Sequence, residues 1–188
     1  VLKEEYAKVI QKYDLVFSLH CKQLFPNELV QKVKCINVHP GLNPYNRGWF
    51  PQVFSILNGM KAGATIHEID EQLDHGAIIA QKEIIIDKWD TSLTAYNKIQ
   101  AAEIELLKEN LPAILIGGYK SKLAEQEGNV NLKKDFSALC AIDLEKQVTL
   151  NEAIDYLRAM THGEYKNAYL IDKKTGKKVF VSIDLKPE

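Results

Sequence analysis

The sequence predicts an α/β domain with a mostly parallel sheet, followed by a short C-terminal helix and a β-hairpin. Three observations predict it. Two short apolar runs, LVFSLH (15–20) and CINVH (35–39), flank the helix-patterned PNELVQKV (26–33), and strand, helix, strand is the pattern of a βαβ unit. Two more β-type runs, GATIHEID (63–70) and AIIAQKEIII (77–86), precede a long amphipathic stretch. The polar segment 118–134 then separates this body from a capped helix and a tail with hairpin patterning.

The elements follow in order. The chain opens VLKEEYAKVIQKY, with apolar Val1, Leu2, Val9 and Ile10 separated by charge in a helix-like pattern. There is no initiating Met, and a pattern that begins without a cap suggests that an N-terminal piece precedes it. Pro26 stands near the start of the next helix, where its missing N–H costs least. PQVFSILNG (51–59) reads as a helix opened by Pro51 and closed by Gly59. Asp90-Thr91-Ser92 offers an N-cap for a helix from about Leu93 to Asn110, with Ala95, Ile99, Ala102, Leu106 and Leu107 at helical spacing and Pro112 as its interruption. Thr149 and Glu152 form a capping box for a helix over 149–160. The tail, 168–184, turns at Thr175-Gly176 as a hairpin. Tyr169, Ile171, Val179, Val181 and Ile183 give it an apolar side, and a lone hairpin is marginal in water. It therefore needs a partner surface, either a second copy of the chain or the helix at 149–160. This gives a core over 1–117, a linker or loop over 118–134 and a C-terminal unit over 135–188.

Composition narrows the class. Of 188 residues, 46% are apolar and 26% charged, with 24 basic and 25 acidic side chains and a net charge of -1. This is a globular balance without the basic excess of a nucleic-acid binder. Three cysteines without C-x-x-C spacing point to reduced thiols and a cytoplasmic setting, not to a disulfide framework. No apolar run is long enough to span a bilayer.

Chemistry concentrates in CINVHPGLNPYNRG (35–48). Asn37 and His39 are two apart in a strand, so they share a face, and ligands in α/β sheets bind at the carboxyl ends of strands. An imidazole titrates near neutrality and suits general acid/base work. A carboxamide donates to a developing oxyanion. The pair also reads simply as polar residues opening a turn. A base needs a carboxylate beside it, and Asp70, Glu71 and Asp74 all lie in the loop after the third strand; spacing does not choose between them. His67 and His75 lack H-E-x-x-H spacing and read as a strand residue with a structural hydrogen bond and a loop neighbour of Asp74, so no metal site is expected.

NVHPGLNPYNRG…GATIHEIDEQLDHGAII resembles the signature of the 10-formyltetrahydrofolate-dependent formyltransferases, across residues 15–86. The resemblance implies a Rossmann-like domain and a catalytic trio of Asn37, His39 and Asp74. It implies 10-formyltetrahydrofolate as formyl donor, held between 18–25 and 69–74 by residues including Cys21, Lys22, Leu24, Ile69, Asp70 and Leu73. The loop with Tyr45, Arg47 and Trp49, and the stretch THGEYKNAY with Tyr165 and Lys166, look like the sugar N-formyltransferase branch. That likeness implies a dTDP-linked amino-dideoxyhexose as acceptor, dTDP-4-amino-4,6-dideoxyglucose foremost, for surface polysaccharide (O-antigen) biosynthesis by a homodimer. The five residues are then candidate substrate contacts. The alternatives are methionyl-tRNA or glycinamide ribonucleotide as acceptor, or a folate or nucleotide-sugar binding module without turnover.

Overall fold

The computed structural model describes residues 2–188. Val1, the first apolar position of the opening pattern, lies outside the described residues, as does the side chain of Leu2. Helix α1 (Leu2–Lys12) leads into strand β1 (Leu15–Leu19), helix α2 (Asn27–Lys32) and strand β2 (Lys34–His39). A two-residue strand, β3 (Arg47–Gly48), precedes α3 (Pro51–Asn58), β4 (Ala62–Glu68) and β5 (Ile78–Ile84). The long helix α4 (Ser92–Leu115) is followed by β6 (Val130–Asn131), α5 (Lys133–Leu139), α6 (Leu150–Met160) and the hairpin β7 (Tyr169–Ile171) and β8 (Lys178–Phe180).

The main sheet runs β1-β2-β4-β5. The predicted β-α-β unit forms, and β1 and β2 pair in parallel. Strand β4 adds antiparallel to β2, and β5 adds antiparallel to β4 because the short connection 69–77 returns the chain beside itself. Parallel pairing in the main sheet is thus confined to β1–β2.

Period two divides the strands between two jobs. Ile36 and Val38 of β2, with Ala64 and Ile66 of β4, are buried against Ala102, Leu106 and Ile114 of α4. Cys35 faces the other way and packs with Leu29 and Val33, which Tyr6, Val9 and Ile10 of α1 cover. Asn37 and His39 follow Cys35 onto that second face.

Two expectations for the helices are revised. The long helix does not stop before Pro112 but continues to Leu115. Proline removes one backbone donor, yet Leu106 and Ile114 on either side of it sit in the same core cluster, and tertiary packing outweighs the local break. Thr91 is its N-cap, in reciprocal bonds with Thr94. The polar stretch 118–134 also carries more structure than a loop: β6 pairs with β3 in parallel, and α5 starts at Lys133.

The C-terminal unit packs on the core through Val53 and Ile56 of α3, Ala95 of α4, and Ala159, Met160 and Ala168. Arg158, buried on α6, donates to the carbonyls of Asp87 and Asp90 and to Asp155. The predicted capping box of α6 is present. The hairpin is tied by backbone bonds to 140–142 and to Ala168, leaving Val179 and Phe180 exposed.

Candidate active site

Three elements bring the site together. Across β2–β4, Asn37 lies opposite His67 and His39 opposite Thr65, all on the face away from α4. Asp74 enters from the β4–β5 connection in a left-handed conformation (φ 47°). Its main-chain carbonyl accepts from Asn43 Nδ2 at 2.8 Å.

The carboxylate of Asp74 is where the other groups meet. Asn37 Nδ2 donates to Oδ1 at 3.0 Å, and the Gly48 N–H donates to Oδ2 at 3.1 Å. His39 Nδ1 lies 3.6 Å from Oδ2, and His67 Nε2 lies 3.6 Å from Oδ1. The other acids of the connection turn elsewhere. Asp70 pairs with His75 at 2.7 Å, and Glu71 accepts from Gln31 at 2.9 Å. Geometry therefore selects Asp74 where spacing left three options.

His39 is 4% exposed. Burial pushes its imidazole down to about 4, against the upward pull of Asp74, so it is neutral at physiological pH. Burial alone would raise the Asp74 carboxyl, but His39, His67 and the Gly48 N–H outweigh it and hold it down at about 2. The ring turns Nδ1 toward the carboxylate, and its other nitrogen is Nε2. That atom is buried without a hydrogen-bond partner, an exception that calls for a function. Gly41 makes room for it: a Cβ there would stand 2.5 Å from Nε2.

His67 has the structural hydrogen bond expected of a strand residue: Nδ1 sits 2.6 Å from the Glu68 carbonyl. Its other nitrogen joins the site, 3.2 Å from Asn37 Nδ2. The signal available in sequence was its even offset from Thr65 on one strand face.

The remaining candidates divide. Cys21, Lys22 and Leu24 lie exposed on the β1–α2 loop, Leu24 at 66%. Ile69 packs onto the Leu29–Cys35 cluster, with its N–H on the Cys35 carbonyl. Leu73 lies beside Gly48. Tyr45 accepts from Gln126. Arg47 is buried, with one guanidinium nitrogen 3.5 Å from Glu127 and Nε unpartnered. Trp49 packs against Phe50 under the Lys133 ammonium. A cavity of about 140 Å³ opens beside Asp74, lined by residues including Asn43, Arg47, His75 and Glu127.

Tyr165 and Lys166 belong to the C-terminal unit, with ring contacts to His162 and Phe180 respectively. A series that sequence reasoning missed links Tyr165 to the core. His20 follows β1 as His39 ends β2, and its Nε2 meets both oxygens of buried Glu103 at 2.8 and 3.0 Å. Its Nδ1 meets the Tyr96 hydroxyl at 2.9 Å. From there the rings of His20, Tyr96, His162 and Tyr165 succeed one another with centroids 6.1, 5.8 and 5.6 Å apart. No motif announces this series, because its members lie on three separated segments, around His20, Tyr96 and His162–Tyr165.

A family model for formyl transferase matches residues 2–111, and one for an N-formyltransferase dimerization C-terminal domain matches 135–187. The chain is 52% identical over 185 residues to a dTDP-4-amino-4,6-dideoxyglucose formyltransferase of Mycobacterium bovis, covering 98% of this chain and 79% of that one. A solved 4-N formyltransferase from Francisella tularensis superposes with a TM-score of 0.97 at 52% identity, over 100% of this chain and 77% of that one. A formyltransferase from Anoxybacillus kamchatkensis, in complex with UDP-4,6-dideoxy-4-formamido-L-AltNAc and tetrahydrofolate, aligns with a TM-score of 0.65 at 28% identity, over 69% of this chain and 70% of that one.

Proposed function

The chain belongs to the formyltransferase family, and on that premise we propose that it moves a formyl group from 10-formyltetrahydrofolate to the amine of a dTDP-linked amino-dideoxyhexose, dTDP-4-amino-4,6-dideoxyglucose first among them. One observation carries the reading. A carboxamide, an imidazole and a carboxylate meet at Asp74, and the imidazole keeps one buried nitrogen, His39 Nε2, without a partner.

The chemistry follows from those atoms. His39, neutral and oriented by Asp74, takes a proton at Nε2 as the acceptor amine bonds to the formyl carbon. Asp74, ionised throughout, stabilises the imidazolium that results. Asn37 has two N–H groups. One is given to Asp74 and the other to His67 Nε2 at the longer 3.2 Å; the carbonyl oxygen that gathers charge replaces His67 as the acceptor of that weaker contact. Bound 10-formyltetrahydrofolate supplies the activated formyl group. The exposed Leu24, near Cys21 and Lys22 on the β1–α2 loop, offers it an apolar edge, with Ile69, Asp70 and Leu73 as its candidate contacts on the β4–β5 connection.

The ring series from His20 to Tyr165 suits a nucleotide sugar. Its first member follows β1, the parallel neighbour of the strand that His39 ends, and its last is 74% exposed, a face on which a base can stack. Tyr45, Arg47, Trp49 and Lys166 remain candidate contacts along the acceptor. The name of the Mycobacterium bovis relative supports the dTDP-4-amino sugar.

The C-terminal unit is the proposed homodimer surface. The exposed apolar residues Leu144, Val148, Leu150, Ile154, Val179 and Phe180 cluster within the segment matched by the dimerization domain. Free thiols at Cys21, Cys35 and Cys140 suit a reducing cytoplasm, and formylated sugars suit surface polysaccharide assembly. No described helix is long and apolar enough to cross a membrane.

A formyl-transfer assay with 10-formyltetrahydrofolate tests this, using a panel of dTDP-3-amino and dTDP-4-amino sugars, wild type beside His39→Ala. Turnover that survives the substitution, or formate release without any acceptor, rejects the reading.

A further inference from the structure

The segment 129–131 lies some eighty residues beyond the catalytic loop in sequence, yet it determines where one partner of Asp74 points. Arg47 N–H bonds the Asn129 carbonyl at 3.0 Å, and Trp49 N–H bonds the Asn131 carbonyl at 2.8 Å. Successive N–H groups of an extended chain point to opposite sides. With 47 and 49 committed to the strap, the intervening Gly48 N–H faces away from it, onto Asp74 Oδ2. Register therefore selects the group that the carboxylate receives; a slip of one residue would turn Gly48 to the strap and Asp74 would lose a donor.

The register is pinned by a pair of carboxamides. Asn129 Oδ1 accepts from the Asn46 N–H at 2.8 Å, and Asn129 Nδ2 donates to Asn46 Oδ1 at 2.7 Å. Asn46 is buried in a left-handed conformation (φ 48°). Its side chain also meets Asn58, Asn131 and Ser55. Gly48 has φ 90°, and a Cβ there would stand 2.4 Å from the Asn131 carbonyl, so the strap closes against it only because the side chain is absent.

From this we infer that Asn129 is a positioning residue for Asp74: by clasping Asn46 it fixes the register that delivers the Gly48 N–H to the carboxylate. The inference rests on the proposed role of Asp74 in formyl transfer.

The test is Asn129→Ala in the full chain, read two ways. Steady-state assays with 10-formyltetrahydrofolate and dTDP-4-amino-4,6-dideoxyglucose should show kcat down about tenfold, with both KM values within about twofold, since an ill-placed group costs rate before binding. Amide exchange, which needs no turnover, should speed at Gly48 by about tenfold or more while Ile36 and Ile66 keep wild-type protection. Glu125→Ala, at an exposed position just before the strap, should match wild type in both. Unchanged Gly48 exchange overturns the inference, and so does a rise in KM at constant kcat. Wild type without formyl transfer rejects the functional reading instead, and the exchange result then decides the inference alone. If Asn129→Ala fails to fold, Asn129→Ser is read by the same two criteria.

Discussion

Asn37 and His67 face each other across antiparallel strands, and the amide nitrogen of Asn37 bridges His67 Nε2 at 3.2 Å and Asp74 Oδ1 at 3.0 Å. One side chain thus ties the acid to the opposite strand, its two N–H groups directed at Asp74 and His67. Asn37→Ala should lower kcat by about 10²–10³ with little change in KM, the usual cost of losing one oxyanion donor. Steady-state kinetics checks this; a loss carried wholly by KM would reassign Asn37 to binding.

His39 makes stability depend on pH. Its imidazole is pushed from 6.5 to about 4 by burial, so the unfolded chain takes up a proton that the folded chain refuses. The contribution is whole above pH 6.5 and is lost as pH falls toward 4. The gap corresponds to about 3 kcal/mol. Asp74 acts in a lower window, its contribution present above 3.8 and lost only as pH falls through about 2. Thermal melts of wild type should decline between pH 6.5 and 4, and His39→Gln should flatten that slope. Parallel slopes in the two proteins would assign the titration to other groups.

Gly41→Ala places a methyl 2.5 Å from His39 Nε2 and 2.9 Å from its Cδ2. The ring must move, because Pro51 Cγ stands 3.2 Å away on another side. Overpacking of this kind costs about 1–3 kcal/mol, and the displaced base should lower kcat at least about tenfold. A variant with wild-type kcat and melting temperature would show that the loop yields instead.

Tyr165 ends the ring series and is widely exposed. Tyr165→Ala should raise KM for the nucleotide sugar about tenfold, leaving kcat and the KM for 10-formyltetrahydrofolate near wild type, since stacking on a remote base contributes on the order of 1–3 kcal/mol. Isothermal titration with dTDP provides a second check; unchanged affinity removes Tyr165 from the acceptor site.

Phe180 is 44% exposed on β8, with its ring edge on Tyr169. Phe180→Asp should shift the sedimentation coefficient from dimer toward monomer at micromolar concentration, because a carboxylate buried at a dimer contact would be unpaired. An unshifted boundary would move the contact elsewhere on the C-terminal unit.

How much of this was legible in the sequence follows from the range of the forces involved. β2 was readable because alternation is local: Asn37 and His39 had to share a face once Ile36 and Val38 took the core. The α6 cap was readable because Thr149 and Glu152 satisfy each other within one turn. Continuation of α4 past Pro112 was not, since it depends on α4 packing on β2 and β4. The strap was hidden for a related reason: Asn129 and Asn131 look like solvated loop residues, and their partners, Asn46 and the backbone of the catalytic loop, are some eighty positions away. Resemblance supplied Asp74 where spacing offered Asp70 and Glu71 equally, and the geometry gives the reason, because those two are spent on His75 and Gln31.

The split of β2 into an apolar side and a reactive side has a further effect on how this enzyme can change. Residues that govern how firmly the body holds together alternate with the residues proposed to carry formyl transfer, and they look in opposite directions. Volume-matched swaps at Ile36 and Val38 can therefore tune heat tolerance while leaving the formyl chemistry alone. A new acceptor can be accommodated on the opposite side without loosening the interior.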